Sequence, residues 1–182
     1  MKRLLVSVAL VLALPVLSGC SAEHSGHDSV ASQSSYNSGE LMFAQMMIPH
    51  HKQAVAMSAL APTHTDNDDL LGLAANIKAA QQPEIEQMTG WITASGSQVD
   101  THHSMAMDGM LTETEMASLE AATGAEFDRL YLSGMIKHHQ GAIDMLSMIS
   151  SSTNPEVVTL RENIRKTQTA EIKQMQDLLK KY

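Results

Sequence analysis

Cysteine is nearly missing from this 182-residue chain: Cys20 stands alone, so no internal disulfide can form and no thiolate cage can be built. Aromatic residues reach only 3%, while Ala, Leu, Ile and Met supply most of the 43% apolar content, a balance that suits packed helices and not a sheet. Basic charge is also scarce, with 12 Lys and Arg against 20 Asp and Glu and a net charge of −8. A surface of that sign repels phosphate backbones and anionic lipid, which excludes nucleic acid and an electrostatic membrane patch as partners. No nucleophilic triad, phosphate-cradling glycine loop or dinucleotide fingerprint is present. Nor is there any Glu-x-x-His, the pattern that a di-iron carboxylate centre on a four-helix bundle requires.

What is there begins with a targeting segment. Lys2 and Arg3 give a basic start, Leu4 to Val16 an apolar run too short to span a bilayer, and Leu17-Ser18-Gly19-Cys20 a cleavage site of small residues. The last four resemble a bacterial lipobox, so residues 1–19 are expected to be removed as a lipoprotein signal peptide. Cys20 is then the lipidated first residue, which anchors the protein to a membrane of the cell envelope, facing the periplasm or the exterior. Loss of Lys2 and Arg3 takes the net charge from −8 to −10. Residues 20–38 are Ser-rich and short of large apolar side chains, and read as a flexible tether in which His24 and His27 are a solvated pair. Residues 39–182 form the folded domain.

Four main helices are expected there. The first runs from Gly39 to about Leu60 on the apolar spacing of Leu41, Phe43, Met46, Met47, Ala54, Val55 and Met57, with a bend at Pro49 and an end at Ala61-Pro62. The second, from Asp68 to Ala94, carries the stripe Leu70, Leu73, Ile77, Ile85, Met88 and Ile92, with Pro83 inside it. A linker, 95–111, follows. Thr112 to Glu115 is a capping box that opens a short helix ending near Ala122. A third main helix spans about Glu126 to Ser150. Asn154-Pro155-Glu156 supplies a cap, a proline for the first turn and an acidic start for a fourth, which runs to Lys180.

The chain repeats itself. Met47-Ile48-Pro49-His50-His51-Lys52-Gln53-Ala54-Val55-Ala56-Met57 returns 88 residues later as Met135-Ile136-Lys137-His138-His139-Gln140-Gly141-Ala142-Ile143-Asp144-Met145. Asn76, Ile77, Gln81, Glu84, Ile85 and Met88 return as Asn163, Ile164, Gln168, Glu171, Ile172 and Met175, now 87 residues apart. Each half is thus a His-His helix followed by a Gln-x-x-Glu-Ile helix, and two such hairpins close an all-α four-helix bundle.

At about 100° per residue, His50 and Met57 point within about 20° of each other, as do His138 and Met145, while Met47 and Met135 lie about 40° from His51 and His139. Neighbouring histidines diverge by about 100°, so one of each pair is expected to face the bundle centre and the other the flank. Glu84 and Met88, and Glu171 and Met175, are four apart and can face the same seam, the glutamates as further ligands. Soft thioethers with imidazole and no thiolate favour copper, as Cu(I), over zinc. Burying a histidine without a partner is costly, which favours ligation for the doubled pairs; Met116 and Met148 read as core. The linker residues His102, His103, Met105, Met107 and Met110 are a second candidate set.

At the doubled Met-Ile-x-His-His-x-x-Ala motif the sequence resembles the ferritin-like bacterial domain-of-unknown-function family 305, from about Gly39 to Leu179 and including Gly124-Ala125-Glu126-Phe127-Asp128. Some members of that family are periplasmic copper-binding proteins. The resemblance implies a four-helix bundle outside the cytoplasm and points to His50, His51, Met47, Met57, His138, His139, Met135 and Met145. Three readings follow: a copper-binding envelope lipoprotein, not an enzyme, that sequesters Cu(I) or hands it to a copper-handling protein; a ferritin-like metal-dependent oxidase; and a scaffold lipoprotein without metal.

Overall fold

Asn37 opens the first helix by the reciprocal device that its spacing to Glu40 allows: its side chain accepts from the Glu40 N–H, and the Glu40 carboxylate accepts from the Asn37 N–H at 2.8 Å. The computed structural model describes residues 35–100 and 107–182. The leader, Cys20, His24 and His27, and His102, His103 and Met105 of the linker lie outside the described residues. Four long helices, α1 (Ser38–His64), α2 (Asp68–Ala94), α4 (Gly124–Met145) and α5 (Pro155–Leu179), make the expected bundle, with a short α3 (Glu113–Ala121) between the halves. Helix α1 pairs with α2 and α4 with α5, and the two hairpins meet mainly along α1 and α4.

The caps of α3 and α5 lie where the sequence places them, and Asn67 caps α2. Asn67 accepts from Asp69 and Leu70 at the start of α2, Thr112 and Glu115 form the capping box of α3, and Asn154 caps α5 with Pro155 in its first turn. Two helix ends differ from expectation. Helix α1 continues through Pro62 to His64, because a proline costs only its own N–H bond so near an end, and the Thr65 N–H returns to the Ala61 carbonyl. The third main helix leaves α geometry after Met145 and tightens into a 3-10 turn over Leu146–Ile149. No helix among the described residues is long and apolar enough to cross a membrane.

The core is divided in two. One cluster holds Phe43, Met47 and Ile48 of α1, Ile85, Met88 and Trp91 of α2, Ala142 and Met145 of α4, and Leu160 and Ile164 of α5. The other holds Ala54 and Met57, Leu73 and Ile77, Tyr131 and Met135, and Met175 and Leu178 of the same four helices. Between them each of the four long helices contributes two polar residues in place of apolar ones: His50 and His51, Gln81 and Glu84, His138 and His139, Gln168 and Glu171. The repeat therefore sets a polar layer across the middle of the bundle.

The described end of the linker, 107–111, is seated against this middle at one side. Gln53 clamps its end with two bonds, donating to the Leu111 carbonyl (2.9 Å) and accepting from the Leu111 N–H (2.8 Å). Gln45, two turns earlier, holds Gln98 and Asp100 in the same manner. The motif position that is Gln53 in the first copy is Gly141 in the second, and there the linker backbone comes so close that a Cβ would stand 2.0 Å from the Asp108 carbonyl oxygen. Gly109, at φ +88°, meets the Lys137 carbonyl in return. Gly141→Ala is expected to cost about 3 kcal/mol in urea unfolding and to speed proteolysis within 95–111. The same change at Gly90, where an added Cβ meets nothing within 4 Å, is expected to stabilise α2 by about 0.5–1 kcal/mol.

Candidate metal centre

His50 on α1 and His138 on α4 face each other across the seam between the hairpins, with ring centroids 3.8 Å apart and planes tilted by 41°. Both side chains are wholly buried, and all four of their ring nitrogens lack a hydrogen-bond partner. Burial dominates their titration. It pulls His50 down to about 3, helped by His51 nearby and opposed by the main chain of Asp108. It pulls His138 well below the ordinary histidine range, with His50 and His139 adding to the effect. Both rings are therefore neutral at pH 7, the form that binds metal.

The second histidine of each pair is buried as completely as the first, which corrects the expectation that it would sit at the flank. The reason is the neighbouring helix of the same hairpin. His51 Nε2 meets Glu84 Oε2 at 2.8 Å and His139 Nε2 meets Glu171 Oε2 at 2.7 Å, so each ring is covered on the side a lone helix would leave open. A carboxylate only accepts, so Nε2 is the donor, and the neutral form of each ring carries its lone pair on Nδ1; both Nδ1 atoms lack a partner. In metal sites the same arrangement, a carboxylate behind an imidazole, fixes the tautomer and raises basicity. Glu84 and Glu171 thus back the outer rings instead of meeting the inner pair.

Gln81 and Gln168, one turn before those glutamates, complete the layer. Both are buried, and neither end of either amide has a partner. They stand in the repeat, but an uncharged amide carries no ligand signature in a sequence; the available signal was their recurrence three residues before Glu in both halves. Ten of the twelve partnerless buried side-chain nitrogen and oxygen atoms among the described residues belong to this layer. Each such atom costs on the order of 1–3 kcal/mol.

The methionines expected as ligands divide between the apolar clusters above and below. Met47, Met88 and Met145 lie in one, Met57, Met135 and Met175 in the other, and only Met145 shows any exposure, at 8%. Met107 is buried and Met110 half-buried against the first cluster. Met116 packs on the second. Among the described residues no three His, Cys, Asp or Glu side chains group around one point. The arrangement thus offers a facing pair of imidazoles with amides and thioethers as neighbours, which suits Cu(I), a soft ion content with low coordination numbers, better than Zn(II).

A profile described as Domain of unknown function (DUF305) matches residues 40–179. No match was found among curated proteins. Among solved structures, a DUF305 fragment from Deinococcus radiodurans is 31% identical, with 80% of this chain and 98% of that one covered and a TM-score of 0.73. A candidate secreted DUF305 protein from Streptomyces coelicolor is 29% identical over 79% and 93% of the chains, at a TM-score of 0.72. CopM in its Cu(I)-bound form is 31% identical over 78% and 96%, at 0.69, and CopM is also solved with Cu(II) and with Ag bound.

Proposed function

The chain belongs to the DUF305 family, and we propose that it is a copper-binding protein of the cell envelope that sequesters Cu(I) or passes it on, with no catalytic step of its own. The observation that carries this reading is the facing of His50 and His138 at 3.8 Å inside a layer of ten partnerless buried polar atoms. Hydrogen bonding within the chain leaves that layer unsatisfied, whereas a cation held by imidazole lone pairs relieves it. The copper- and silver-bound forms of CopM, a relative at 31% identity, support the choice of metal.

In this reading His50 and His138 hold the ion, and His51 and His139, each backed by its glutamate, contribute their Nδ1 lone pairs. Thioethers at the layer's edges, Met47 and Met135 first among them, complete the shell for Cu(I). The lipid anchor at Cys20 keeps the protein at the envelope, and a copper-handling protein is its partner for delivery. Anaerobic titration of the purified protein with Cu(I) against a colorimetric chelator is expected to give chelator-resistant binding at pH 7 that weakens towards pH 5.5, as protons compete for imidazole. Binding no tighter than that of free histidine and methionine at equal concentration would refute the proposal.

A further inference from the structure

A second group of sulfur atoms lies outside the polar layer. Met46 of α1, Met107 of the linker, Met145 at the end of α4 and Met148 in the 3-10 turn line one surface hollow of about 320 Å³, with Asp108 and Asp144 at its rim. Three residues make one turn of a 3-10 helix, so the tightening after Met145 brings Met148 round onto the same side, where a continued α-helix would carry it about 60° away. Met148 packs on the first apolar cluster, as its reading as core expects, yet it is only half-buried, as is Met46. Four of the chain's 14 methionines share a cavity that opens to solvent.

We propose that this hollow is a separate thioether site for a soft monovalent cation, Cu(I) in function and Ag(I) as its redox-inert stand-in. Thioether sulfur is neutral and soft, so the site discriminates against Zn(II), Mg(II) and Ca(II). The exposed carboxylates of Asp108 and Asp144 supply negative charge to offset a single positive one. Two of the four sulfurs are on or beside one element, and Gly141, also in the lining, lets the linker backbone bring Met107 to them. The site does not depend on metal binding by the imidazole layer. It stands one turn from His50 through Met46, so a cation captured there is already beside the buried pair.

Oxidative footprinting tests it. The purified protein is treated with hydrogen peroxide with and without one equivalent of Ag(I), and methionine sulfoxide is quantified by mass spectrometry. Met42, 54% exposed and outside the hollow, is the internal control. Ag(I) is expected to slow oxidation of Met46 and Met148 at least about tenfold while Met42 keeps its rate, and to do so equally in a His50→Leu/His138→Leu protein. Equal protection of Met42, no protection of Met46 and Met148, or protection that vanishes with the histidines would overturn the proposal. In a Met46→Leu/Met145→Leu/Met148→Leu protein the Ag(I) stoichiometry should fall by one; an unchanged stoichiometry in a folded variant refutes the site, and a variant that misfolds leaves the parent footprint to decide.

Discussion

Brought from pH 7 to pH 4, the metal-free protein is expected to lose most of its stability. An unfolded histidine takes up its proton near pH 6.5. Folded His50 does so only at about 3, because it is buried. Between those values the unfolded chain binds a proton that the native chain does not, so stability falls as the pH drops through 6.5 and stops falling near 3. Each pH unit in that window costs about 1.4 kcal/mol per group, and the full shift at His50 comes to roughly 5 kcal/mol. His138 shifts in the same direction from the same cause, so the slope approaches two protons. A domain of ordinary stability, about 5–15 kcal/mol, does not survive that loss intact. Neither Glu84 nor Glu171 rescues the inner pair, since each carboxylate is engaged by an outer ring. Urea unfolding at half-unit pH steps measures the slope; stability that stays flat from pH 7 to pH 5 would mean that the inner rings are not held neutral by burial.

The outline of this bundle was legible because its determinants are local. Caps such as Asn154-Pro155-Glu156 and Thr112 with Glu115 act within one turn, and the doubled motif forces two like hairpins whatever else the chain does. The site was legible only in part. The His-His pairs and the glutamates announce themselves by residue type, but angular arithmetic on a single helix treats one side as open. In the bundle that side is filled by the adjacent helix, which is why His51 and His139 are buried and the flank expectation fails. Gln81 and Gln168 were legible as repeat positions but not as members of the site, because amides become conspicuous only once their burial without partners is known. The hollow of Met46, Met107, Met145 and Met148 was illegible for a different reason: it depends on a change of helical pitch and on a glycine-to-backbone approach, both of which are tertiary.

The same orphaned layer makes an opposite pair of outcomes available from one double substitution. His50→Leu with His138→Leu removes four of the ten partnerless atoms and fills the space with side chains that suit the clusters on either side. Relief of even part of the unpaired-group cost should stabilise the metal-free protein by about 3 kcal/mol at pH 7 and abolish most of the acid slope. At the same time imidazole-dependent Cu(I) affinity should fall at least a hundredfold, by about 3 kcal/mol or more, because both donors are gone. A single His50→Leu should give less of each, since His138 remains buried, neutral and alone. Differential unfolding and chelator competition on the parent, single and double variants read both quantities. Stability that drops with the double substitution would mean that the rings are hydrogen-bonded through ordered water and serve packing. A rise in stability with unchanged Cu(I) affinity would leave the layer without its ion. Stability gained as binding is lost is the signature of a site kept against the folding preference of the chain, since burying neutral imidazoles twice over is unfavourable unless a bound cation offsets it.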